Sequence, residues 1–238
     1  MAPSSYLLHV NSRPTVVSCD LWCEWYRDEH LPDLVNGGVS ARATFYEEED
    51  PPVPTGLPNP RKFLALYQTD IEELLKSEKY INGRKTSSLF PKEGGTDSII
   101  ENGDFDARNY ELIQEFDPKG TGEKPPPIIV TVEMNPADEK DFDKWYREEH
   151  LDMLSKMPGY RRSLRYKLGP KTPLTQGETQ PAFLAIHEVD SMDAFASEEG
   201  QAASTTEWSV KQIQESKPFI ARAWKLVHAQ GYGGEMRT

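Results

Sequence analysis

At 238 residues the chain is long enough for one large domain or two ordinary ones. Its 27 Lys and Arg against 39 Asp and Glu give a net charge of −12, which argues against nucleic acid or an anionic membrane surface as partner. Hydrophobic residues reach only 37%, yet five Trp, ten Tyr and nine Phe supply the large apolar side chains that disordered acidic chains lack. Cys19 and Cys23 lie four apart on helical sequence, where a disulfide would strain the helix and two lone thiols make a poor zinc site. The opening segment MAPSSYLLHVNSRP lacks a charged start followed by a long apolar run, and no stretch approaches the roughly eighteen apolar residues of a membrane span. A reducing cytoplasm is the expected location.

The elements read as follows in chain order. A strand over 6–11 precedes a helix over 20–35 that Gly37 and Gly38 end. A strand over 40–47 leads into a proline-rich loop, 47–60, and then into a strand over 62–68. Asp70 is placed to cap a helix over 71–80, and a last strand includes 107–113. The Gly, Pro and charged run 118–127 suits a linker. The β-branched run 128–134 is a strand, and a helix over 136–156 follows, with Pro136 in its first turn and Asp138 as a cap. Pro158 and Gly159 end it. Then come a strand over 160–168, a long loop over 167–181 and a strand over 182–189. Asp190 is placed to cap a helix over 191–199, a further helical piece spans 203–215, and a closing strand follows.

The order is the same twice because the sequence is. Trp25-Tyr26-Arg27-Asp28-Glu29-His30-Leu31 recurs 120 residues later as Trp145-Tyr146-Arg147-Glu148-Glu149-His150-Leu151. Phe63-Leu64-Ala65-Leu66 recurs as Phe183-Leu184-Ala185-Ile186 at the same offset, and Arg42 and Tyr46 match Arg162 and Tyr166. The predicted fold class is α+β: two ferredoxin-like βαββαβ repeats, 1–117 and 128–238, joined by the linker 118–127. Each antiparallel sheet carries its helices on one face, so the two bare faces are expected to pack against each other as an intrachain pseudo-dimeric α+β barrel.

The Trp-Tyr-Arg-(Asp/Glu)-Glu-His-Leu helix, Pro158-Gly159-Tyr160-Arg161-Arg162 entering the second strand, and Phe-Leu-Ala-(Leu/Ile) before an Asp-capped helix together resemble the EthD-like branch of the dimeric α+β barrel proteins. The resemblance spans nearly the whole chain, once per half, and is closer in the second. It implies a small-molecule cavity in each unit between sheet and helices, and an activity among cofactor-free cyclases, decarboxylases, dehydratases, isomerases and oxygenases. Some related tandem barrels ligate haem iron through a histidine, and none of their motifs is present. Gly37-Gly38 in place of Pro158-Gly159, and Pro32 against Asp152, mark the halves as unequal.

Helical spacing of i and i+4 places Tyr26 beneath His30 and Tyr146 beneath His150, an imidazole beside a phenol. Such a pair can move a proton at neutral pH and hydrogen-bond a developing oxyanion, and the four residues are the catalytic candidates. The competing role for either histidine is to pack or cap its helix end. Asp33 is spaced to orient His30, but Met153 stands at the equivalent site. His187, in place of Tyr67, faces either the cavity or the seam between the sheets. Trp22, Tyr46, Tyr166 and His187 are candidates to line a pocket, and Arg42 and Arg162 to hold a substrate carboxylate; ordinary core packing and ion pairing are the alternatives. The long proline-rich loops are candidate lids or solvated spacers. Glu47 to Asp50 reads as a solvated charge run, lacking the alternation of a calcium loop.

The expected function is a cofactor-independent enzyme of lyase, cyclase or isomerase type, using His–Tyr acid–base chemistry on a small hydrophobic, aromatic or polyketide-like carbonyl compound. A cofactorless oxygenase of the same fold is the alternative, and a non-catalytic binding or stress-related protein the third. No cofactor and no metal are expected. A small hydrophobic molecule is the expected partner, and edge strands left over from the pseudo-dimer leave room for a homodimer of the tandem unit.

Overall fold

The computed structural model describes residues 4–49 and 59–233. The first half contributes β1 (Tyr6–Pro14), α1 (Cys19–Trp25), α2 (Leu31–Asn36), β2 (Arg42–Glu48), β3 (Phe63–Thr69), α3 (Glu78–Ile81) and β4 (Gly103–Phe116). The second contributes β5 (Ile128–Met134), α4 (Glu139–Trp145), α5 (Leu151–Ser155), β6 (Tyr160–Lys171), β7 (Phe183–Val189), α6 (Asp193–Ala196), α7 (Glu198–Thr205), α8 (Glu207–Glu215) and β8 (Phe219–Gln230). The order β4-β1-β3-β2 in the first sheet is repeated as β8-β5-β7-β6 in the second, all antiparallel. The two sheets face one another. They also join edge to edge, β2 to β8 and β4 to β6, so that eight strands close into one barrel. This closure corrects the expectation of exposed edges, since the strands that would have offered them pair with the other half.

Three apolar clusters follow from the alternation of strand side chains. Leu7, Tyr46, Leu64, Ile129, Tyr166 and Trp224 belong to the cluster inside the barrel, drawn from both sheets. The outer faces carry one cluster each, closed off by the helices of that half. Cross-half ion pairs tie the barrel wall: Arg108 reaches Glu133 at 2.5 Å, and Arg222 reaches Glu48 at 3.1 Å. Among the described residues no helix is long and apolar enough to cross a membrane.

Several local expectations change. Ser18 caps α1 by accepting from the Leu21 N–H, and Asp138 caps α4 by accepting from Lys140 and Asp141. Pro136 lies outside that helix. Asp70 and Asp190 are not caps: Asp70 accepts from the Ser5 N–H, and Asp190 pairs with Arg161. The second helix of each half is broken, with Ser77 capping the short α3 and Ser197 capping α7. Where the second half adds α8, the first has an irregular segment with a 3-10 turn, Phe90–Glu93. Glu93 accepts from the backbone and hydroxyl of Ser18, which pins that turn against α1. Residues 50–58 of the first proline-rich loop, with Asp50 of the charge run, lie outside the described residues.

Candidate functional site

Each long helix is interrupted at the same place. Tyr26–His30 and Tyr146–His150 form single π-helical turns, with Leu31 N–H donating to Tyr26 C=O and Leu151 N–H to Tyr146 C=O, five residues back. The widened turn keeps the tyrosine beside the histidine, with ring centroids 5.4 Å apart in the first half and 5.3 Å in the second. It also brings together residues five apart. His30 stacks on Trp25 at 4.5 Å and His150 on Trp145 at 4.1 Å. The repeated tryptophan thus fixes the ring plane of the histidine.

The spaces these groups face differ. In the second half a cavity of about 260 Å³ lies between the outer face of the sheet and α4 to α8. Val130, Met134, Phe195 and Phe219 contribute to its apolar walls, and Tyr146, His150 and His187 bring polar atoms. In the first half Tyr26, His30 and Tyr67 border a void of only about 50 Å³, and the other space at His30, about 210 Å³, is bordered by the charged side chains of Asp33, Lys79, Arg84 and Lys85 rather than by Tyr26 or Tyr67. Leu8 and Tyr67 replace Val130 and His187 there, and Tyr80, Ile99 and Leu174 press in from outside. Leu174 belongs to the loop after β6, whose Thr172 and Gln176 donate to the carbonyls of Ala107 and Phe105. That candidate lid is docked onto the opposite half.

The second-half histidines have assigned hydrogen bonds on one ring nitrogen each. His150 Nδ1–H donates to the Ala203 carbonyl at 3.2 Å, a group in the last turn of α7 that no helical N–H claims. Ser209 Oγ donates to the same carbonyl at 2.7 Å and accepts from Trp145 Nε1 at 3.1 Å. A carbonyl only accepts, so the single proton of the neutral imidazole sits on Nδ1 and Nε2 keeps its lone pair. On β7, His187 Nδ1 lies 2.8 Å from Ser163 Oγ, which accepts from the Tyr160 hydroxyl at 2.8 Å. The Tyr160 proton goes to Ser163 at 2.8 Å rather than to the Phe116 carbonyl at 3.5 Å, so the serine proton is directed to His187 Nδ1 and the imidazole N–H is on Nε2. The two rings, with centroids 6.2 Å apart, therefore bring an acceptor and a donor to one cavity.

Burial holds both rings neutral: it pushes His150 down to about 3 and His187 to about 4, with Arg165 adding to each. Burial likewise raises the Tyr146 hydroxyl to about 12 against the pull of Arg165. This arginine, 2% exposed and 4.1 Å above the Tyr146 ring, was not singled out by sequence because Phe45 occupies its place in the first half. His30, pushed down to about 3 by burial, has no equivalent of the Ala203 carbonyl because α3, the counterpart of α7, is only one turn long and ends at Ile81.

The remaining candidates lie elsewhere. Trp22 is buried in the first-half core against Trp25, Phe90 and Phe105. Tyr46 and Tyr166 fill the barrel interior. Arg42 donates to the Gly122 carbonyl at 2.8 Å and pairs with Glu123, holding the linker. Arg162 pairs with Glu188 at 2.9 Å and Glu115 at 3.1 Å. These five do not line either cavity. Asp33 pairs with Arg84 rather than with His30. His9 lies at the barrel interior against Tyr110. Among the described residues no group of three His, Cys, Asp or Glu is placed to hold a metal ion.

Comparison with known proteins follows the same line. No family model matches the chain. A curated relative, core atranone cluster (CAC) protein 1 of Stachybotrys chlorohalonatus, is 25% identical over 197 residues, covering 78% of this chain and 81% of that one. An anthrone oxidase-like protein superposes with a TM-score of 0.51 at 16% identity, over 97% of this chain and 95% of its own. A provisionally assigned monooxygenase of Fusobacterium nucleatum gives 0.55 at 10% identity, over 98% and 97%. These likenesses reach the fold and do not single out the EthD-like branch. What the solved structures share with this chain is the fold, an α+β barrel of the dimeric kind carried in one polypeptide.

Proposed function

We propose that the chain is an enzyme of small-molecule metabolism that removes a proton from an apolar aromatic or polyketide-like hydroxy or carbonyl compound held in the second-half cavity. The observation that carries this reading is the complementary pair of imidazoles: His150 Nε2 accepts, while His187 Nε2–H donates. A proton leaving an activated carbon or a phenol goes to His150. The oxygen that gains charge is hydrogen-bonded by His187 and by the Tyr146 hydroxyl. A neutral buried imidazole is a weak base in the empty cavity, but the anion formed beside it favours its protonated form. An apolar cavity of roughly 150 Å³ holds one benzene, so about 260 Å³ suits a molecule of two or three fused rings.

The fate of the anion separates the two chemistries. Reprotonation elsewhere, ring closure or loss of water makes an isomerase, cyclase or lyase. Reaction with dioxygen makes an oxygenase, in which an anthrone methylene loses two hydrogens, one oxygen atom becomes the new carbonyl and the other leaves as water. The anthrone oxidase-like neighbour and the biosynthetic-cluster relative support testing both. Turnover of anthrones and phenolic β-diketones is to be followed with an oxygen electrode and again anaerobically. An oxygenase consumes dioxygen stoichiometrically, and an isomerase, cyclase or lyase works equally well without it. His150→Ala is expected to lower kcat/KM about 10²- to 10⁴-fold and His30→Ala to leave it within a factor of about two. Unchanged turnover in His150→Ala overturns the reading, and tight binding of these compounds without any product points to the non-catalytic alternative.

A further inference from the structure

The two halves are close enough copies that their differences carry information. On the helix-facing side of the strands, Ser163, Arg165 and His187 stand where the first half has Ala43, Phe45 and Tyr67. Ser163 and His187 are accounted for by the imidazole geometry above. Arg165 is not. In the first half Phe45 lies flat on Tyr26 with centroids 3.8 Å apart, an ordinary apolar stack. In the second half a guanidinium covers Tyr146 instead.

Burying a cation is costly unless it is fully paired, and this one is not. Arg165 Nη1 donates to Gln114 Oε1 at 2.6 Å and to Asp143 Oδ1 at 2.9 Å, while Nη2 is buried without a partner. The other oxygen of Asp143 takes Arg147 Nε at 2.7 Å. One carboxylate is therefore shared between two guanidinium groups. The titratable groups on the cavity side, Tyr146, His150 and His187, are neutral at pH 7 and contribute no compensating negative charge. The wall behind Tyr146 thus keeps an excess of positive charge in a low-dielectric setting, where a charge acts at longer range than in water.

We infer that the second-half cavity takes its ligand as an aromatic anion, an ionised phenol or enol, and that Arg165, acting through the face of Tyr146, sets this preference. A cation over a phenol ring draws electron density from its hydroxyl and makes it a stronger donor to an anionic oxygen. Phe45 offers Tyr26 no such polarisation. The inference rests on the proton-abstracting reading and adds to it the charge state of the bound molecule; Arg165 is a positioning residue, since it reaches the ligand only through Tyr146.

The test uses the intact chain with 4-nitro-1-naphthol, a two-ring probe whose anion absorbs in the visible, and its neutral methyl ether as control. Absorbance titration of free and bound probe between about pH 4 and 8 reads the ionisation directly, because the visible band belongs to the probe's anion alone. The probe is expected to ionise at least one pH unit lower when bound, and its anion to bind at least tenfold tighter than the ether. Arg165→Met is expected to lose at least tenfold in anion affinity while keeping the ether's affinity, and Arg165→Lys to retain most of the preference. A folded Arg165→Met that binds the anion as tightly as the native protein overturns the inference. Should that variant not fold, the native protein decides alone: a bound probe that ionises no more readily than the free one overturns it. The two readings fail separately. Arg165-dependent anion binding with His150-independent turnover removes the proposed base and keeps the anion site, whereas the converse removes the anion site alone.

Discussion

Arg42 and Arg162 occupy equivalent positions in the two halves, and both turn away from the cavities toward the end of the barrel where the linker crosses. The Asp117 carboxylate accepts from the N–H groups of Thr121 and Gly122 and shapes the turn; a side chain on Gly122 would meet Arg162 Nη1 at 2.3 Å. Arg162 and Glu188 are 3% and 4% exposed, so removing one leaves the other charged and buried. Arg162→Met is therefore expected to cost about 3–5 kcal/mol in urea unfolding while the folded fraction binds cavity ligands normally. A loss below about 1 kcal/mol together with weakened binding would return Arg162 to the substrate. The same contrast explains what sequence could and could not reveal at single positions. Searching for repeated residues finds Tyr146 and His150 because both halves keep them. It passes over Arg165 and Ser163 because the site depends on where the halves differ, and over Ala203 because its contribution is a backbone carbonyl that any residue carries.

At the scale of elements, the π turn decides the site. An unbroken α-helix would satisfy the Tyr–His pairing at i and i+4, which is why that pairing was legible; the Trp–His stack at i and i+5 was not, because it exists only once the turn is widened. Deleting Glu148, an exposed residue within the turn, should let the helix close with ordinary i to i+4 bonds while Trp145 and Leu151 stay in the core. The expected result is a folded protein by circular dichroism that loses the His150 stack and at least tenfold in cavity ligand affinity. The matching deletion of Asp28 in the first half should leave binding unchanged. Equal loss from both deletions would mean that the turn serves stability rather than the site. The strand order and the first helix of each half follow directly from periodicity and repetition. The second helices do not, because Ser77 and Ser197 restart the chain within a few residues of the aspartates that looked like caps.

For the whole molecule, closure of the barrel around His9 and packing of the helices over His30, His150 and His187 shield ionisable groups from water, and stability should report it. Burial pushes His9, His30 and His150 down to about 3 and His187 to about 4, against about 6.5 in an unfolded chain. Between those limits the unfolded state holds protons that the folded state refuses, so lowering the pH favours unfolding. The stabilisation is fully present above about pH 6.5 and is lost as pH falls toward 4. Each such histidine contributes a slope of about 1.4 kcal/mol per pH unit, and four together about 5, on the order of the whole stability of a domain. Glu133 and Glu188 work the other way, since burial raises their carboxyls and a protonated folded state gains as pH falls. They oppose the histidines from the ordinary carboxylate range upward to their own raised one, with Arg108 and Arg162 holding that rise back, and four imidazoles against two carboxyls leave a net uptake of about two protons or more. Urea midpoints measured at half-unit steps from pH 7.5 to 5 should therefore fall steeply below pH 6.5, and unfolding near pH 5.5 should take up at least two protons. His187→Gln and His9→Gln should each flatten the curve by about one proton. Uptake of fewer than two protons by the native chain would mean that the barrel and the second-half cavity admit enough water to keep these imidazoles close to their ordinary range.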